Sequence, residues 1–189
     1  MCARFYTDEE TAAAIRSFTG REAELRCGEV RPADEAVVLT ADRGRYSAAR
    51  MVWGFRNPLG KGLVINARAE TLSEKPMFRD CCRYRRCAIP AGRFCEWDAL
   101  RERVTLCDPA QPVLYLAGVY ELTERLPRFT VLTREANESV RGYHARMPLL
   151  LRREALEDWL LPGDAFQSLL RAEMPALKAR KETEQLSFF

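Results

Sequence analysis

Cys87-Ala88-Ile89-Pro90-Ala91-Gly92-Arg93-Phe94-Cys95-Glu96-Trp97 is the stretch that decides the fold class. Cys87 to Ile89 is an apolar run of strand type. It breaks at Pro90-Ala91-Gly92, and Phe94 to Asp98 resumes extended. Toward the C-terminus, Val104 to Leu106, Val113 to Glu121, Phe129 to Thr133 and Met147 to Leu151 read as further strands. Toward the N-terminus, Val37 to Thr40, Tyr46 to Phe55 and Leu63 to Ile65 do the same, and Gly28 to Asp34 reads as a turn around Pro32. Helices are fewer. Thr7-x-x-Glu10 has the form of a capping box ahead of a helix from Ala12 to Phe18. Ser73 caps a helix to Tyr84 with Pro76 in its first turn. Two more follow at Arg153 to Leu160 and Asp164 to Ala172. Many short strands with helices at the margins predict an α+β protein: a single domain with a curved, mainly antiparallel, barrel-like sheet core and peripheral helices. The expected domain spans residues 1–175. A charged tail, frayed from Lys178, covers 176–189.

The chain has 189 residues, enough for one domain with a proper core. Hydrophobic residues make up 47% and charged residues 30%, the balance of an ordinary globular protein. No apolar run approaches the length of a membrane span, and Thr7-Asp8-Glu9-Glu10 interrupts any export signal, so a cytoplasmic protein without membrane attachment is expected. Seven cysteines with no C-x-x-C pair and only one histidine argue against a structural metal, so no metal and no cofactor are expected. Most of the cysteines are expected as reduced, buried, small apolar residues. A net charge of +3 does not by itself announce a nucleic-acid binder.

The second residue is a cysteine. If Met1 is trimmed, Cys2 carries a thiol and a free α-amine on adjacent carbons. Such a 1,2-aminothiol condenses with aldehydes to a five-membered thiazolidine, and both groups have reactive fractions near neutral pH. A chance cysteine at position 2 is the plain alternative.

Other polar residues sit where strands end. Asn66-Ala67-Arg68-Ala69-Glu70 follows an apolar strand, Thr133 ends another, and His144-Ala145-Arg146-Met147-Pro148 holds the sole histidine. Glu96 alternates faces with Cys95 and Trp97. The pattern favours a solvent-facing side chain over a buried acid that shuttles protons. His144 reads as a hydrogen-bonded structural residue or as the one side chain titrating near neutrality. Arg68 and Arg146 are suited to fork onto phosphates, or equally to pair with glutamates.

Taken in order, Met1-Cys2-x-Arg4-Phe5, Val30-Arg31-Pro32, Trp53-Gly54, Asn66-Ala67-Arg68-Ala69-Glu70-Thr71, Arg86-Cys87-x-Ile89-Pro90-Ala91-Gly92-x-Phe94-x-Glu96-Trp97, Leu132-Thr133-x-x-Ala136-Asn137 and His144-x-Arg146-Met147-Pro148 resemble the SOS-response-associated peptidase family. The resemblance implies a sensor of abasic sites in single-stranded DNA. The mature N-terminal cysteine of such a protein forms a thiazolidine crosslink with the opened sugar, after autocatalytic or aminopeptidase removal of the first methionine.

By the same resemblance the catalytic residues are Cys2, Asn66, Glu96 and His144. Arg4, Arg68, Thr133 and Arg146 contact phosphates, and Pro32 and Leu59 pack on bases. It also implies a monomer whose partner is abasic single-stranded DNA and which associates with the nucleoid. The chain departs from the family's pattern at Ala3, at Cys95 and in the short loop Asn57 to Gly62, where Leu59 replaces a tryptophan. A thiol peptidase acting on other proteins and a non-covalent single-stranded DNA-binding module are the competing readings.

Overall fold

The computed structural model describes residues 2–181. Met1, whose removal is expected above, and residues 182–189 of the expected tail lie outside the described residues. The strands are β1 (Arg4–Thr7), β2 (Gly28–Val30), β3 (Glu35–Asp42), β4 (Arg45–Trp53), β5 (Phe55–Arg56), β6 (Leu63–Val64), β7 (Asn66–Arg68), β8 (Arg86–Ala91), β9 (Arg93–Trp97), β10 (Arg103–Cys107), β11 (Leu114–Glu121), β12 (Arg128–Glu135), β13 (Arg146–Pro148), β14 (Leu150–Leu151) and β15 (Lys178–Lys181). The helices are α1 (Glu9–Thr19), α2 (Pro76–Tyr84), α3 (Glu138–Arg141), α4 (Leu156–Leu160) and α5 (Phe166–Leu169).

The larger sheet runs β13-β12-β4-β3-β8-β11-β14, with β7 joined to β12. Because β12 also pairs with β11, the path from β12 through β4, β3, β8 and β11 returns to β12 and closes a ring. Only the pairings of β12 with β4 and β7 are parallel. The curved, mainly antiparallel α+β core is therefore as expected. Closure draws strands tightly together at Gly118 in β11. A side chain there would sit 2.6 Å from Ile89 and 2.9 Å from the Thr130 carbonyl, so the position takes no larger residue.

The second sheet is five-stranded, in the order β15-β10-β9-β1-β2. Between β8 and β9 the chain passes from ring to second sheet through the single residue Gly92, whose N–H reaches the Tyr6 carbonyl at 2.8 Å. The expected break at Pro90 is thus corrected, because β8 runs through Pro90 to Ala91. The ladder explains why. The Ala117 N–H points to Leu149, away from β8, so alternation turns the opposed pair Tyr115 and Pro90 outward from each other. On Pro90's outer side β8 meets β3 only at Leu39 and Ala88, so the missing N–H removes no ladder bond.

Further corrections are local. Helix α1 is capped by Asp8, not Thr7: Asp8 accepts from the Thr11 N–H at 3.0 Å, while Thr7 lies in β1 and donates to the Arg26 carbonyl. Gly28–Val30 is strand rather than turn because it pairs with β1. The expected fraying at Lys178 is also overturned. Lys178–Lys181 adds to β10, fixed at its end by Lys181 on Asp98 and Glu102 at 2.7 and 2.6 Å.

Within the core, Trp53 stacks on Phe129 with centroids 6.1 Å apart and meets Phe5 at 5.1 Å. Arg86 is 4% exposed, and its guanidinium donates to the carbonyls of Trp159, Cys82, Arg83 and Leu161. It fastens α2 and α4 onto β8 and lies 4.2 Å over Phe166. Arg86→Met leaves those carbonyls without a donor, and a loss of about 3 kcal/mol is expected in urea denaturation. A loss under about 1 kcal/mol would show that the carbonyls find other donors.

Candidate active site

The site is built where β7, β9, β13 and the chain start converge. Trp53 begins the positioning. Its indole N–H donates to the Ile65 carbonyl at 2.9 Å, fixing the residue before β7. The next residue, Asn66, donates from Nδ2 to the Cys2 carbonyl at 2.9 Å. A carbonyl only accepts, so this contact sets the amide orientation. Asn66 Oδ1 then points into a buried space and, among the described residues, receives no hydrogen bond.

Cys2 is fully buried, with its thiol 3.6 Å from the Arg4 carbonyl. Burial pushes the thiol pKa far up, and the nearby Glu96 carboxylate adds to the rise. Glu96 lies in β9 with 1% of its surface exposed. The solvent-facing reading of this residue is overturned. Its side chain takes the same inward side as Phe94, while Cys95 opposes Arg4 on the other face. Burial raises the Glu96 pKa, against the charge of His144 nearby. Cys2, Asn66, Glu96 and His144 therefore form one cluster.

His144 sits before β13, with Nδ1 3.0 Å from the Arg146 N and 2.9 Å from its carbonyl. The Arg146 side chain is forked onto Glu70 at 2.8 and 2.9 Å and reaches the Thr133 carbonyl at 2.6 Å. Arg146 thus takes the glutamate pairing left open by its sequence. Glu70 was not singled out, although it closes the Asn-Ala-Arg-Ala-Glu run. Thr133 is buried opposite Arg68, whose side chain is exposed.

The remaining residues lie apart. Arg4 turns to the outer face of the second sheet, 3.3 Å from Glu29. That carboxylate also holds Arg103 at 2.8 Å, Arg31 and the Tyr6 hydroxyl. No local pattern in the sequence pointed to Glu29. Pro32 is the second residue of a turn closed by the Asp34 N–H on the Arg31 carbonyl, with Ala33 at φ 75°. Leu59 is 95% exposed at the tip between β5 and β6.

The model for the family described as SOS response associated peptidase (SRAP) matches residues 1–187. The chain belongs to this family. Among curated relatives, the abasic site processing protein YoqW of Bacillus subtilis is 33% identical, with 90% of this chain and 87% of that one covered. The abasic site processing protein YoaM of Bacillus subtilis is 34% identical over 75% of this chain and 70% of its own. Two solved structures share the SRAP fold seen here. A Bordetella bronchiseptica protein has a TM-score of 0.80 at 21% identity, covering 96% of this chain and 100% of that one. A Bacteroides thetaiotaomicron protein has a TM-score of 0.78 at 19% identity, covering 97% and 93%.

Glu70 gives a test of how this candidate site is braced. The Arg146 guanidinium holds the Glu70 carboxyl below the usual carboxylate range. A lowered carboxylate pKa stabilises the fold above the unfolded value and loses that contribution as pH falls through the folded value. Glu70 is about half exposed, so Glu70→Gln is expected to cost at most about 1 kcal/mol at pH 7. The gap from wild type should close below about pH 4 in denaturation midpoints. A gap constant with pH would place the effect outside the ion pair.

Proposed function

We propose that this protein processes abasic sites in DNA, and that it does so by covalent capture through mature Cys2. The observation that carries the reading is a buried thiol beside a buried carboxyl of raised pKa, with Asn66 gripping the same residue's carbonyl. Removal of Met1, by the protein itself or by an aminopeptidase, consumes one water and frees the α-amine.

An abasic deoxyribose is mostly a closed hemiacetal. Glu96 takes the proton from the anomeric hydroxyl, and His144 supplies one to the ring oxygen as the ring opens. The Cys2 nitrogen attacks the aldehyde carbon, and water leaves to give an imine. Sγ then adds to the imine carbon, the thiol proton passing through Glu96 to the nitrogen. One water is released in the whole sequence from aldehyde to thiazolidine. Because burial keeps the thiol neutral, the base for this last step must come from the site itself. The open acceptor Asn66 Oδ1 suits an N–H of the amine or the freed sugar hydroxyl. Arg4 and Arg68 face phosphates of the single strand, and Pro32 and Leu59 its bases, while the fully buried Thr133 steadies Arg146 from behind through its carbonyl. Arg146 joins them by giving up part of its fork on Glu70.

The test uses purified protein with single-stranded DNA carrying an abasic aldehyde or its tetrahydrofuran analogue, which has none. A band that survives denaturing electrophoresis is expected only with the aldehyde, at the summed mass less one water. An equal band with the analogue would overturn the reading. Blocking the α-amine should abolish the band, whereas a thiol peptidase would be indifferent to it.

A further inference from the structure

We infer that the outer face of the five-stranded sheet is a second contact surface for single-stranded nucleic acid. Strand registers place Arg4 and Tyr6 of β1, Glu29 and Arg31 of the β2 edge, Arg93 and Trp97 of β9, Arg103 of β10, and Lys178 and Arg180 of β15 on one side. The chain as a whole is nearly balanced, with 30 basic and 27 acidic residues. Among the described residues, this face instead carries six basic side chains and a single carboxylate. Glu29 engages Arg4, Arg31 and Arg103. Among the described residues, Arg93, Lys178 and Arg180 make no ion pair, and all three are exposed.

Aromatic rings lie between these charges. Arg93 stacks 4.2 Å over Tyr6, and Arg4 lies 5.8 Å from Trp97, which is 37% exposed. Guanidinium planes and exposed rings on a sheet are platforms for unstacked bases, and the arginines and lysine neutralise phosphates between them. Five strands at about 4.8 Å spacing give a platform about 19 Å wide. It begins at Arg4, two residues from Cys2. The proposal rests on the reading of Cys2 only for the origin of the strand, which would leave the lesion and run outward across β1, β9, β10 and β15.

The experiment measures non-covalent binding of undamaged oligothymidine to the full chain carrying Cys2→Ala, by fluorescence anisotropy across a salt series. Arg93→Ala with Arg180→Ala is expected to weaken binding about tenfold at low salt. It should also flatten the salt slope by about 1.4, the value for two phosphate contacts on a single strand. Arg93→Lys with Arg180→Lys should restore the slope. Arg43→Ala with Arg45→Ala, on the β3–β4 hairpin, should leave both values unchanged. Lengthening the oligomer should raise affinity for the parent but less for the alanine pair. Unchanged affinity and slope in the alanine pair, with an unchanged thermal midpoint, would overturn the inference, as would an equal loss in the hairpin pair. Because Cys2 is absent from this assay, failure of the covalent reading appears only in the aldehyde experiment above.

Discussion

Replacing Cys2 with alanine is expected to remove the denaturation-resistant adduct with abasic DNA completely, below one part in a thousand of the wild-type yield. Alanine keeps the α-amine, which still forms an imine with the opened sugar. An imine without a thiol hydrolyses once the protein is denatured, so no band should persist. Adding borohydride before denaturation reduces the imine to an amine and should rescue a band in Cys2→Ala. It should change the wild-type yield little. Cys2→Ser separates the two groups further. Its hydroxyl is a weaker nucleophile than sulfur, so the five-membered ring closes poorly and the variant should need reduction as well. The side chain is fully buried, and among the described residues its one hydrogen bond is the 3.6 Å contact to the Arg4 carbonyl. Folding should therefore tolerate the change, and retained binding to intact DNA checks this. A robust unreduced band from Cys2→Ala would end the thiazolidine mechanism.

Glu96→Gln is expected to slow adduct formation roughly a hundredfold or more, the usual scale for losing a proton carrier. The amide keeps the size and much of the hydrogen bonding of the acid but cannot exchange the proton. The same substitution makes a signed prediction about stability. Burial raises the Glu96 pKa above its unfolded value. The folded state then binds more protons than the unfolded one, so stability is greatest below the unfolded value and falls as pH rises through the folded one. In wild type, denaturation midpoints should drop over that window. In Glu96→Gln the drop should be smaller, so the variant is slower yet relatively more stable near neutral pH. A variant of unchanged rate, or one whose stability follows pH as wild type does, would remove Glu96 from the proposed role.

Much of the fold was legible because its signals are local. Alternation and apolar runs located β3, β4, β8, β11 and β12, and Pro76 marked the first turn of α2. The errors arose where the deciding partner is remote in sequence. Pro90 reads as a break until β11 is placed beside it, since only the ladder shows that its nitrogen faces outward. Gly28–Val30 and Lys178–Lys181 carry weak strand signals of their own and become strands by pairing with β1 and β10. Asp8 and Thr7 are both good capping residues, and the pairing of β1 chose between them.

The site divides along the same line. In sequence, the N-terminal aminothiol, the lone histidine and above all the ordered motifs resembling the family offered Cys2, Asn66, Glu96 and His144 as catalytic candidates. What only the tertiary structure decided is environment. Alternation favoured a solvent-facing Glu96, because the sequence does not show which face of β9 the ring covers. The sheet's position against the ring buried it, and that burial raises its pKa. Arg146 could fork onto a phosphate or a glutamate until β13 carried it to Glu70. The basic outer face is invisible in a net charge of +3, because it is assembled from four regions of chain that meet only through strand register. Residue identity supplies the chemistry a group is capable of. Desolvation and charge at a few ångströms decide which of it is used, and those distances exist only once remote strands have paired.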